Sequence, residues 1–513
     1  MPRSSRSVSR DSTVDSWLRS TAWSYASQMT ASTVLGAHLI GGEWIDSGPT
    51  AVSDNPARPG EPVGEYRVGD SDTAGDAISA AVDARATWGS TSFAVRARIL
   101  EQVASLMEAR AEEIATLCTL EEGKTIAESR GEAGLAAETF RFHAGMAKTS
   151  TERIFPTGTP GETIRTVRVP LGVVGIITPW NFPIQIPAWK IAPALAAGNC
   201  VVWKPASNTP LTAAAIARVF DDAGVPAGVV NLVLGPGSMG NAIVTDHRVD
   251  GITFTGSVPV GFGIREAVTA RNGRVQLELG GHNPALVFPD TDFDLSIPAL
   301  VAGAMGATGQ KCTATRRIIA VGDVYDELVE RLAVAVRGLS VGDGMHEGVG
   351  IGPLVSPSAA GEVADGLALA KAEGAEVVAV TDSAPDGGCF FAPALLAGGT
   401  NLTIANEEIF GPISTVLRVD SEDEAFALAN DTVFGLSASI FTNDLWRIDR
   451  AVHELQAGVI KVNAPTTGTE LHAPFGGEKE SSGHAAREQG DTAVDFFTRT
   501  RTAYIRPGTT RSE

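Results

Sequence analysis

The sequence predicts an α/β fold built on a doubly wound, mostly parallel sheet. Three observations carry this. Apolar runs of four to seven residues, continuous in Val, Ile and Leu, recur from Gly172 onward. Such runs belong to strands buried on both faces. Helically spaced stretches separate them, as in right-handed crossovers between parallel strands. Gly-rich turns stand at several strand-to-helix junctions, and parallel sheets bind ligands at the carboxyl ends of their strands.

The chain opens with a Ser/Thr/Arg-rich stretch, Met1 to about Ser32, with Arg3, Arg6 and Arg10 but no apolar core. It does not read as a secretory signal. A disordered extension, or a start codon assigned too early, is expected. Folded sequence is expected from near His38, in HLIGGEWIDSG. Between Asp72 and Gly145, Ile99, Leu100, Val103, Leu106, Met107, Ile114 and Leu117 recur at helical spacing and predict core-facing helices. Then GVVGIIT (172–178), CVVWK (200–204), VVNLVLG (229–235) and GITFTG (251–256) read as strands. Helices are expected over Pro187–Ala197, Leu211–Ala223, after Gly237, and near Phe262–Thr269. A second alternating region, from about Asn283 to Gly458, holds strand candidates Ala285–Phe288, Arg317–Val321, Val377–Val380 and Ser414–Val419. Val169–Pro170 and Thr502–Ile505 are short strand candidates outside both regions.

A chain of 513 residues, 43% hydrophobic, is long enough for two or three domains. Its 60 acidic and 40 basic residues give a formal charge of −20. That balance argues against a nucleic-acid partner, which needs a basic stripe. No apolar run reaches transmembrane length. The four cysteines (Cys118, Cys200, Cys312 and Cys389) are scattered without C-x-x-C spacing. Neither a disulfide framework nor a metal site is expected, and a cytoplasmic setting is the simplest.

Four segments are candidates for chemistry. Cys312, in GATGQKCTAT, has a polar, turn-like setting with Lys311 beside it, and a nearby lysine favours the reactive thiolate. It is either a nucleophile or, as read for Cys118 and Cys200, a small buried hydrophobe. Glu278, in QLELGGHNP, ends an apolar strand. Partial burial would tune it as a general base, while an ion pair would make it structural. Asn181, in TPWNFP (178–183), sits in a turn set by Pro179 and Pro183. Its amide can face a developing oxyanion or bond its own backbone. The last segment is a phosphate apparatus. GPGSMG (235–240) fits G-x-G-x-x-G, and FTGS (254–257) lies at a strand-to-helix junction. Lys204, in WKPAS, ends its strand as either a ribose or phosphate ligand or a solvated lysine.

Together PWNFP, WKPAS–TPLTA, FTGS, LELGG, GQKC, EEIFGP (407–412) and APFGG (473–477) resemble the aldehyde dehydrogenase superfamily, in order, over roughly 36–505. The resemblance implies a Rossmann-type cofactor domain (36–152 and 172–280), an α/β catalytic domain (281–483) and a small β oligomerisation strand pair (153–171 and 484–505), with residues 1–35 as the extension. It implies Cys312 as nucleophile, Glu278 as the base that activates water, and Asn181 as oxyanion amide. Thr178, Trp180, Lys204, Ser207, Gly237, Gly256, Ser257, Glu408 and Phe410 are implied contacts of NAD or NADP. The partners implied are a small-molecule aldehyde and further copies of the chain, as homodimer or homotetramer, without membrane or metal.

Two departures stand out. Ser207 occupies a position where many strictly NAD-using members carry Glu, so NADP is expected to be accepted. His282 follows LELGG in place of the usual residues, and is given no role. Within the superfamily, NFPIQIPAWKIAPALAAGN, GATGQKCTATR and APFGGEKESSGHAAREQG resemble the 2-oxoglutarate semialdehyde (2,5-dioxopentanoate) dehydrogenases. Trp189 stands where succinic-semialdehyde-type enzymes place an Arg for the distal carboxylate. Arg316 is the candidate replacement. Another semialdehyde dehydrogenase, a broad-range aldehyde dehydrogenase, a CoA-acylating relative and an inactive binding relative are the alternatives. Glu278 argues against the third, and the presence of Cys312, Glu278 and Asn181 together against the last.

Overall fold

In a computed structural model of the chain, the described residues are 34–149, 152–382, 384–483, 486–506 and 508. The expected extension, 1–35, lies outside them except for its last two residues. Those enter the strand Val34–Gly36, which pairs in parallel with Pro62–Arg67. The first described strand thus starts four residues ahead of His38.

The helical segment resolves into Ser71–Ser90, Phe93–Ala109, Ala111–Glu122 and Ile126–Met146. Its predicted stripe is core: Leu100, Val103, Met107 and Ile114 are fully buried. Gly123, at φ +99°, ends the third helix in the left-handed conformation that favours glycine. Thr125 starts the fourth with a reciprocal capping box to Glu128.

The first large sheet contains the predicted parallel strands. Across it lie Val230–Leu232, Cys200–Lys204, Val173–Ile177, Gly251–Thr255 and Arg274–Glu278. The hairpin His38–Ile40/Glu43–Ile45 extends one edge antiparallel. The chain first builds outward from Val173–Ile177, then returns to build the other side from Gly251–Thr255. The gap between those two strands is the topological switch point where open parallel sheets bind ligands. Pairing of Ile177 with Lys204 and Phe254, and of Thr255 with Glu278, puts four strand ends on one edge.

The second sheet runs Glu376–Val380, Ala394–Ala397, Ile413–Val419, Thr315–Val321, Asn283–Val287, Ser437–Phe441 and Val459–Val462. Only its Glu376–Val380 edge is antiparallel. Glu278 ends the last strand of the first sheet and Asn283 begins a central strand of the second. Leu279, Gly280, Gly281 and His282 are all that separate them. The carboxyl edge of one sheet therefore meets the amino edge of the other.

Arg153–Phe155, Thr163–Pro170 and Thr498–Ile505 form a separate antiparallel sheet. It has three strands where a pair is expected. The third strand, RIF, is exposed at every position, so no apolar run announces it.

Candidate active site

The nucleophile candidate stands on a bent loop at the amino edge of the second sheet. Ala307, Thr308 and Gly309 all take positive φ, at +49°, +55° and +64°. For Ala and Thr this costs about 1–2 kcal/mol per residue. The loop is over-determined by its surroundings. Thr308 Oγ1 donates to the Gly352 carbonyl, the Val355 N–H donates to Gln310 Oε1, and Asn283 Nδ2 donates to the carbonyls of Cys312 and Ala314. A Cβ on Gly309 would stand 2.1 Å from the Gly411 carbonyl oxygen, so that position excludes side chains.

Cys312 is half-buried and packs against Ile186, Trp189, Leu436 and Phe475, alongside Phe182 and Val459. Cys118, Cys200 and Cys389 are buried, as read for the first two from sequence. Burial pushes the Cys312 thiol up to about 12, with the Glu408 and Glu278 carboxylates adding to it. Lys311 does not offset this. Its ammonium lies on the far side of the loop, toward Gly306 and Glu128. The expected help from the neighbouring lysine is therefore absent, because adjacent side chains on the tight loop diverge.

Asn181 faces the same loop from the first sheet. Its Nδ2 donates to the Gln310 carbonyl at 2.9 Å, two residues before Cys312. Thus the sequence-distant PWNFP and GQKC motifs meet. Glu278 is buried at the strand end. Ser482 Oγ donates to its Oε1 at 3.0 Å, and its Oε2 has no partner. Burial raises its pKa well above the ordinary carboxylate value. Glu488 adds to the rise, while Lys190, Ser482 and Arg487 oppose it. Gly476 approaches so closely that a Cβ there would lie 2.8 Å from Glu278 Oε1.

Glu408 accepts from the Gly281 N–H at 3.1 Å, and burial raises its carboxyl to about 7 against the pull of Arg316. The Phe410 and Trp180 rings meet edge to face at 5.7 Å. Arg316 corrects an expectation. Its guanidinium donates to the Gly411 and Gly309 carbonyls, both at 2.6 Å. These two bonds brace the nucleophile loop against EEIFGP and leave only the buried Nε without a partner, which argues against the expected hold on a substrate carboxylate. His282 is buried and neutral, its pKa pushed down to about 3 by desolvation, with Nε2 against the Ile404 carbonyl.

The remaining candidates line the switch point. Lys204 is buried without a carboxylate beside it, and desolvation alone lowers it to about 8. The helices Gly237–Thr245 and Val258–Ala270 begin at Pro236 and Ser257 without side-chain caps. Their first N–H groups are therefore free for an anion. A Cβ on Gly256 would collide with the Phe254 ring at 2.4 Å, so only glycine lets the backbone pass there. Thr178 Oγ1 accepts from Trp203 Nε1, and Thr255 Oγ1 is buried with no partner. An unpaired ammonium, two open helix starts and the Glu408 carboxylate suit a dinucleotide with its pyrophosphate and ribose hydroxyls. Ser207 is exposed, but its hydroxyl donates to the Gly235 carbonyl at 2.9 Å, so its proton is already in use.

Sequence reasoning missed several charged residues behind the site. Lys124 and Glu132 form a buried ion pair at 2.7 Å under the Asn181 loop. Lys190 and Glu488 form another behind Glu278, with Thr253 joined to Lys190 at 2.8 Å. The capping-box pattern T-x-x-E at Thr125–Glu128 was a readable signal for the helix start beside the first pair. Nothing local announces their partners.

Residues 44–503 match the aldehyde dehydrogenase family. The chain is 41% identical to alpha-ketoglutaric semialdehyde dehydrogenase from Bacillus subtilis over 92% of its own length and 98% of the relative's. It is 42% identical to alpha-ketoglutarate semialdehyde dehydrogenase from Haloferax volcanii, over 91% and 98%. Among solved structures, betaine aldehyde dehydrogenase from Staphylococcus aureus in complex with NAD+ superposes with a TM-score of 0.90. Identity there is 30%, covering 96% of this chain and 99% of that one. With its two sheets, its cysteine loop and its cofactor edge, this chain belongs to the aldehyde dehydrogenase family of NAD(P)-dependent oxidoreductases.

Proposed function

We propose that this enzyme oxidises 2-oxoglutarate semialdehyde to 2-oxoglutarate through a thioester on Cys312. The observation that carries the chemistry is the meeting of Asn181 with the Cys312 loop, beside the apolar cluster that Cys312 packs against. The Cys312 thiolate attacks the aldehyde carbon. The Asn181 amide and the Cys312 backbone N–H receive the oxyanion of the resulting tetrahedral adduct. A nicotinamide cofactor, held by Lys204, the helix starts at Gly237 and Ser257, and Glu408, supplies the hydride acceptor. Trp180 and Phe410 wall its cleft. Loss of hydride leaves the thioester. Glu278 then takes one proton from water as the water attacks, the thiolate leaves, and the carboxylic acid product gives up the second proton to solvent as the carboxylate.

The substrate follows from the relatives above, which are named for that semialdehyde. A second reading is a broad-range aldehyde dehydrogenase. It is favoured by the surroundings of Cys312, which are the apolar side chains of Trp189, Phe475, Leu436 and Ile186, with Arg316 bonded to the Gly411 and Gly309 carbonyls. NADP is accepted beside NAD in this proposal, because Ser207 presents no negative charge to a 2′-phosphate. The proposed division is 36–152/172–280, 281–483 and 153–171/484–505, supported by the separation of the two seven-stranded sheets and the small sheet of Thr163–Pro170. Assembly as homodimer or homotetramer uses the small sheet, whose two outer strands have no further strand beside them among the described residues and whose Ile154 and Tyr504 are 79% and 68% exposed. A cytoplasmic setting accords with four free cysteines. The test is a panel of 2-oxoglutarate semialdehyde, succinic semialdehyde and a simple aliphatic aldehyde, each with NAD and NADP. The highest kcat/KM is expected for the first. Equal values across the panel favour the broad-range reading, and no cofactor reduction with any of them removes both.

A further inference from the structure

The two halves of the oxyanion site arrive from different sheets, 131 residues apart in sequence (312 minus 181), yet one short segment touches both. Lys124 Nζ donates to the Asn181 backbone carbonyl at 2.6 Å and to Glu132 Oε2 at 2.7 Å, and lies 4.2 Å from the centre of the Phe182 ring. The other oxygen of Glu132 accepts from the N–H groups of Ile184 and Gln185, at 2.7 and 2.9 Å. The turn around Asn181 is thus held by its carbonyl on one side and by two amides on the other. One helical turn before Glu132, Glu128 Oε1 accepts from the Ala307 N–H at 2.8 Å, the first left-handed residue of the nucleophile loop. Lys124 and Glu132 are almost completely buried, so their geometry is not exchanged with water.

We propose that Lys124, Glu128 and Glu132 are positioning residues that set the Asn181 amide and the Cys312 loop at a fixed separation. The proposal rests on the reading of Asn181 and Cys312 given above. Charge-assisted bonds are the stronger class of hydrogen bond. Misplacement of a reacting group by about 1 Å can cost on the order of 10²-fold in rate. Glu128 and Glu132 lie four apart on one helix, so the same rigid face reaches both loops.

The experiment measures single-turnover cofactor reduction, NAD+ affinity and iodoacetamide alkylation of Cys312 for each variant. Asn181→Ala is the reference, expected to slow reduction about 10²-fold. Lys124→Met/Glu132→Gln removes the ion pair while keeping an acceptor for Ile184 and Gln185, and leaves the nearby Glu122 carboxyl, already raised to about 7 by burial, to take up a proton. It is expected to slow reduction by a similar factor, with NAD+ affinity and alkylation within about twofold of the parent. Lys124→Arg should recover part of the lost rate. Glu128→Ala, acting on the other loop, should slow alkylation as well, and Glu128→Gln should restore it. If Asn181→Ala reduces cofactor at the parental rate, the underlying reading of Asn181 fails. If Asn181→Ala is slow but the Lys124/Glu132 variant is not, the positioning role is overturned. A Lys124/Glu132 variant that loses NAD+ affinity and alkylation in the same proportion as reduction overturns it too, because the defect is then general.

Discussion

At the residue scale, the site combines two groups whose pKa values burial raises. A thiol pushed up to about 12 is ionised only in small part at neutral pH. In the free enzyme, alkylation of Cys312 by iodoacetamide should therefore climb about tenfold per pH unit between pH 7 and 9, without the plateau of an ordinary cysteine. Stopped alkylation assays across that range check it. Glu278 is shifted the same way, and only its ionised form can take a proton from water. Where deacylation limits turnover, kcat should rise with pH. Glu278→Gln should lose this rise and give one burst of reduced cofactor before stalling. An unchanged steady-state rate in that variant would exclude Glu278 as the deacylating base. Ser207→Glu should raise KM for NADP by about tenfold while leaving KM for NAD within about threefold, since like charges in a cleft repel. Cys312, Glu278 and Asn181 could be singled out in sequence because each sits in a short motif, and the structure brings the Asn181 and Cys312 motifs together. Lys124, Glu132 and Arg316 were not, because what defines them is a contact made far along the chain. Lys124 bonds to Asn181 and Arg316 to Gly411, 57 and 95 residues away. On sequence alone a charged residue at a helix start reads as a solvated one.

At the element scale, the continuous Val/Ile strands were readable almost to the residue. CVVWK is the strand Cys200–Lys204, and GITFTG contains Gly251–Thr255. VVNLVLG shrinks to Val230–Leu232. Past it, the Leu234 N–H turns aside to His38 Nδ1, and Gly235 takes φ +156°. The opposite error occurs in the small sheet. Val169–Pro170 and Thr502–Ile505 grow into eight-residue strands whose exposed Thr and Arg positions hide their pairing from any apolar pattern. The nucleophile loop is also an element with its own rule. Gly309→Ala would place a methyl group against the Gly411 carbonyl in a backbone conformation that L residues rarely adopt. It should cost about 1–3 kcal/mol of stability. Turnover should fall further than the melting temperature alone implies, and calorimetry paired with initial rates separates the two.

At the scale of the whole molecule, the small sheet stands apart from both large ones and leaves apolar side chains on its surface. Ile154→Glu combined with Tyr504→Glu should lower the mass measured by light scattering to that of a single chain. A mass unchanged by the pair would move the assembly surface elsewhere. The two large sheets are joined through Leu279–His282, and that junction lies in the site itself. A Cβ on Gly281 would come within 2.4 Å of the Cys312 carbonyl oxygen. That seam is thus a wall of the site as well as a tether: Glu278 reaches it from one sheet, and the Cys312 carbonyl rests against it from the other.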